Sequence, residues 1–77
     1  MYVYILRSLI ANQRYIGKTN NLHQRLKEHN EGKSPHASKY KPWKISVAIY
    51  FEDNQKANAF EKYLKSGSGH AFAKRHF

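Results

Sequence analysis

Arg25, His29 and Glu61 are the residues of this 77-residue sequence that packing alone explains least well. Leu22, Arg25, Leu26 and His29 stand at i, i+3, i+4 and i+7, the spacing that shares one helix face. Two leucines belong there; an arginine and a histidine need a reason. Arg25 can lay its methylenes along a core edge, and His29 can answer the last helix carbonyls. Equally, a guanidinium fork fits phosphate oxygens, and an imidazole takes up protons. Ala57, Phe60, Glu61 and Leu64 repeat the spacing, with Lys56, Lys62 and Lys65 on the outer arcs. Glu61 therefore falls at the margin of a buried stripe, where a carboxylate must be paired, hydrogen-bonded or metal-bound. Its partner is either a cation such as Arg25 or one hard divalent ion that keeps most of its waters, as Mg²⁺ does. Glu28 and Glu31 lie off the leucine face and Glu52-Asp53 fall at a turn, so they suit that role less well.

Tyr4 and Tyr15 add two phenols on the arms of a predicted hairpin, where cross-strand neighbours share a face. Either one alone is an ordinary strand residue. Gly17 and Lys18 follow directly, just ahead of a helix start. A glycine there lets a phosphate approach the backbone, and a helix N-terminus favours an anion.

The elements that must position these groups are legible from local signals. Residues 2–7 and 14–19 are rich in β-branched and aromatic side chains and form an antiparallel hairpin with a loop near residues 9–13. Asn20 or Asn21 caps a helix over about residues 22–30, and Gly32 stops it. Ser34-Pro35 and Lys41-Pro42 are hostile to helix, so residues 33–43 read as an exposed loop. Residues 45–51 are the third strand, with Ile45, Val47 and Ile49 on one side and Ala48 and Tyr50 on the other. Asp53 caps a helix over about residues 54–65, and Ser66-Gly67-Ser68-Gly69 breaks it. Residues 70–77 are left one short helical turn. Local signals thus give a hairpin, a third strand and two main helices in a single domain over residues 1–77.

A chain of this size buries only about 60% of its unfolded surface. Six Tyr, four Phe and one Trp supply large buried areas that such a thin core needs. The absence of cysteine excludes disulfides and thiolate zinc sites. No run of about eighteen apolar residues is present, and residues 1–7 lack the pattern of a secretory leader, so the expectation is a cytoplasmic protein without a membrane partner. Fourteen Lys and Arg against five Asp and Glu give a net charge of +9. A polyanionic partner explains that excess better than a solubilising coat does. Lys33, Lys39, Lys41 and Lys44 interleave with His36, Tyr40 and Trp43, a pattern suited to phosphates and base stacking. Trp43 reads alternatively as a core anchor at the start of the third strand. No helix-turn-helix or zinc finger reads base sequence here, so specificity is for nucleic-acid shape or is delegated to a protein partner.

Tyr2-Val3-Tyr4, Tyr15-Ile16-Gly17, Lys18, Arg25, His29, Lys41-Pro42-Trp43 and Glu61, in that order, resemble the GIY-YIG nuclease superfamily. Within it, the chain is similar to the N-terminal module of the UvrC excinuclease and to small stand-alone relatives of that module. The resemblance covers about residues 2–65. It implies an assembly of these elements as an α/β (α+β) fold, a small three-stranded antiparallel sheet flanked by helices. It also implies a metal-dependent endonuclease that hydrolyses phosphodiester bonds, DNA being expected over RNA, with a place in repair or processing. Tyr4, Tyr15, Arg25 and His29 match catalytic or accessory positions. Gly17 matches the motif glycine, Lys18 matches an accessory position, and Glu61 matches the ligand of one Mg²⁺ or Mn²⁺ ion. Two positions depart from the pattern: Tyr2 stands where glycine is frequent, and Ala73 stands where many relatives place an asparagine. The second departure keeps open an alternative reading, a non-cleaving DNA- or RNA-binding module of the same fold.

Overall fold

Val3, Tyr4, Ile5 and Leu6 are all buried, and an unbroken buried run requires cover on both faces of a strand. The computed structural model, which describes residues 1–77, makes this run the central strand. The order of elements is β1 (Tyr2–Ser8), β2 (Arg14–Thr19), α1 (Leu22–Asn30), α2 (Pro35–Tyr40), β3 (Trp43–Tyr50), α3 (Asn54–Leu64) and α4 (Gly67–His76). The sheet runs β2-β1-β3 with both pairings antiparallel. Val3 and Ile5 face one way, into a core with Ala57, Leu64 and Ala73 from α3 and α4. Tyr4 and Leu6 face the other way, into a core with Trp43 that Leu22, Leu26 and Tyr40 cover.

The third strand departs from simple alternation. Val47 lies opposite Ile5 but Ile45 lies opposite Leu6, so Ser46 is an extra residue on β3. Such a bulge exchanges the faces of everything beyond it. Ile45 therefore packs in the Tyr4 core and Val47 in the Val3 core, rather than side by side as their i, i+2 spacing predicts.

The caps of α1 and α3 follow local chemistry. Asn21 accepts from the Gln24 amide, and Asp53 accepts from those of Gln55 and Lys56. Gly32 takes φ +71 just past α1, the conformation that favours glycine. Two expectations need correction. Residues 35–40 form α2 rather than a loop, because Ser34 accepts from the Ala37 amide and Pro35 occupies the first helical position, where its missing N–H costs nothing. The glycine-rich stretch does not merely end α3: Ser66 caps the ten-residue α4 by accepting from the Gly69 amide. Gly69 sits against the Tyr63 carbonyl and Leu64 Cα, so closely that no side chain fits between the helices.

Candidate active site

Tyr4 and Tyr15 share a face because Tyr4 pairs with Gly17 and Leu6 with Tyr15 across β1 and β2. The Tyr4 ring lies over Gly17. A Cβ on that glycine would stand 2.5 Å from Tyr4 Oη and 2.8 Å from Cζ, with Tyr15 Cε1 at 3.0 Å. Gly17 is itself buried. The bare backbone is thus covered by a phenol, and the expectation that phosphate approaches it directly is corrected on steric grounds. The two phenol rings stack at 6.3 Å between centroids and 29° between planes.

From α1, Arg25 donates through Nε to Tyr4 Oη at 3.2 Å and through NH1 to Glu28 Oε1 at 3.4 Å. Burial pushes the Tyr4 phenol above its ordinary value of 10.0, against the opposing hydrogen bond and charge of Arg25, while the charges of Tyr15 and Glu61 add to the rise. Arg25 is correspondingly held more firmly protonated, first by Tyr4 and more weakly by Tyr15. His29 is 7% exposed, and its ring meets that of Tyr15 edge-on at 4.4 Å. Its Nδ1 lies 3.0 Å from the Arg25 carbonyl oxygen. A carbonyl can only accept, so the neutral ring carries its proton on Nδ1 and keeps a lone pair on Nε2. No buried side-chain polar atom lacks a partner, and Nε2 has none in the protein, so this nitrogen reaches solvent. His29 lines a cleft of about 250 Å³ with Tyr15, Arg25, Glu28 and Lys33. Nδ1 answers a helix carbonyl, as the helix-end account of His29 expects.

Glu61 stands apart from this cleft. Its helix, α3, packs on the Val3 face of the sheet, opposite α1, and meets the edge strand β2. The carboxylate and the guanidinium therefore approach each other only around the β2 edge. Glu61 does not pair with Arg25. Its oxygens lie 3.9 Å from Lys18 Nζ and 3.5 Å from Lys65 Nζ, and Lys18 also donates to Asn58 Oδ1.

The family model of the GIY-YIG catalytic domain matches residues 1–75. The chain belongs to this family. Neither a curated protein nor a solved structure gives a significant match. Membership of the GIY-YIG family implies nuclease-type activity on a nucleic-acid substrate, and such nucleases typically use divalent metal ions.

No three His, Cys, Asp or Glu side chains of this GIY-YIG domain cluster anywhere. Glu61 is a lone carboxylate beside β2 that could hold a hard ion kept mainly hydrated, in place of its contacts with Lys18 and Lys65. The expected basic set does not act as one loop. Lys33 lines the cleft, Lys39 lies over the Tyr40 ring at 5.4 Å, Lys41 is exposed after α2, and Lys44 sits in β3. Trp43 is a core anchor, 2% exposed with Nε1 donating to the Ala37 carbonyl, so base stacking on it is excluded. Asn30 holds both backbone groups of Trp43, at 2.6 and 3.1 Å, and so pins α1 to β3. Sequence reading passed over Asn30, and no local signal marks it. Glu28 was also missed as a cleft residue; its i, i+3 spacing from Arg25 was the available sign. Ala73, at the expected asparagine position, is buried core.

Proposed function

We propose that the protein is a divalent-metal-dependent endonuclease, acting on DNA in preference to RNA in repair or processing. The observation that carries this reading is the cleft lined together by His29, Tyr15 and Arg25, with the His29 and Tyr15 rings in edge contact. Arg25, oriented by Tyr4, presents its remaining N–H groups to the phosphate oxygens. Tyr15 passes its hydroxyl proton to His29 as its oxygen takes the proton of the attacking water. Tyr4 stays protonated and acts by position, because its raised pKa makes it a poor base. Glu61 would hold the divalent ion where Lys18 and Lys65 now approach it. The bound ion supplies charge relief to the phosphate and the departing oxygen.

The test uses purified protein with plasmid and branched DNA in Mg²⁺, Mn²⁺ or EDTA. Product only with metal, lost in Glu61→Gln while DNA retardation persists, is the expected result. Unchanged turnover in that variant overturns the assignment of Glu61. The buried Ala73 favours the non-cleaving module as a second reading, and retardation without product under every metal condition would select it.

A further inference from the structure

Arg14, Arg7 and Lys44 lie directly opposite one another across β2, β1 and β3, and all three are exposed. Like charges so placed repel. None is relieved by a carboxylate, since the ion pairs of the molecule are Lys18–Glu61, Lys65–Glu61 and Arg25–Glu28. Arg7 follows Leu6, so by register the row stands on the face of Ile5 and Val47, away from the catalytic cleft. At its β2 end the row enters a second depression of about 300 Å³, with Arg14, Lys65 and His70 on its walls and Ile16 and Ala73 in its lining. Tyr15 lines this depression and the cleft, and no other residue lines both.

We propose that the cation row and its groove bind the sugar–phosphate backbone on one side of the scissile bond. The strand crosses the β2 edge at Tyr15, with successive phosphates on Arg14, Arg7 and Lys44 and a sugar or unstacked base against Ile16. Neighbouring strands lie about 4.8 Å apart, so the three cations span two spacings, about 10 Å. Three phosphates on one strand span two rises of about 3.4 Å, about 7 Å along the axis, and the long Arg and Lys side chains take up the difference. This inference rests on the nuclease reading only for the direction in which the strand runs.

The experiment measures oligonucleotide affinity against salt with Glu61→Gln protein kept in EDTA, so that binding is read without turnover. Arg7→Gln, Arg14→Gln and Lys44→Gln are combined in one variant. Lys27→Gln, Lys56→Gln and Lys62→Gln, on exposed helix positions, remove the same charge in a second. The row variant is expected to lose about 2 to 3 from the slope of log K against log salt, at about 0.7–0.9 per phosphate contact. The control variant is expected to keep most of its slope. An unchanged slope in the row variant, or an equal loss in both, overturns the proposal. Arg7→Gln alone is expected to raise the melting temperature, since it removes the charge flanked on both sides; a lowered one overturns the unrelieved row. Metal-dependent cleavage with an unaltered slope removes the backbone track alone. A slope loss in a protein that never cleaves removes the nuclease reading and leaves the track.

Discussion

One face of the sheet packs Val3, Ile5, Ala57, Leu64 and Ala73 with no polar side chain in the cluster, whereas the other packs Tyr4, Trp43 and His29 beside Leu6 and Leu26. The aliphatic face stabilises by area removed from water and by close packing. The aromatic face must also satisfy every heteroatom it buries. Tyr4 Oη accepts from Arg25, Trp43 Nε1 donates to Ala37, and His29 Nδ1 meets the Arg25 carbonyl. Those obligatory partners fix the rings in orientation. The aliphatic core and the cleft of Tyr15, Arg25 and His29 thus lie on opposite sides of a sheet only three strands wide, with Glu61 on the helix that covers the aliphatic side.

Crossed substitutions break this division or sharpen it. Tyr15→Phe is expected to lower the cleavage rate by about 10²–10⁴-fold with little change in the urea midpoint. Leu64→Ala is expected to cost about 2–5 kcal/mol of stability, seen in the same urea titration, while turnover per folded molecule holds. A collapse of stability in the first variant, or of turnover in the second, would show that the two faces are not separable. Gly17→Ala sets a methyl against the Tyr4 hydroxyl and is expected to cost about 1–3 kcal/mol by overpacking. It should also weaken phosphate binding, because Tyr4 can no longer orient Arg25; competition by a non-cleavable phosphodiester reads this effect.

The smallest expected effect is alkaline. The folded-state pKa of Tyr4 is raised, so its contribution to stability is fully present below the unfolded value of about 10 and declines as pH rises through the folded one. Denaturant midpoints should therefore fall above about pH 10, and less steeply in Tyr4→Phe. Parallel curves for the two proteins would remove Tyr4 as the titrating group.

Local physics made much of this molecule legible in one dimension. The Asn21 and Asp53 caps, the hairpin loop and the two interrupted helix stripes are consequences of nearest-neighbour chemistry, and the structure has them where spacing puts them. Ser34-Pro35 was misread because the same dipeptide can end a helix or begin one, and only the Ala37 amide distinguishes the two. The candidate side chains were also nameable, since an arginine, a histidine and a glutamate on apolar stripes demand partners.

Tertiary structure alone decided which face each residue occupies. The extra residue Ser46 divides Ile45 from Val47, a fact of the pairing between β1 and β3 that neither strand states by itself. The ring of Tyr4 fills the space over Gly17, thirteen positions away, and Glu61 stands on a helix packed against the opposite side of the sheet from α1. Spacing determines the angle between residues within one element, but only pairing with distant chain sets the direction in which that element turns.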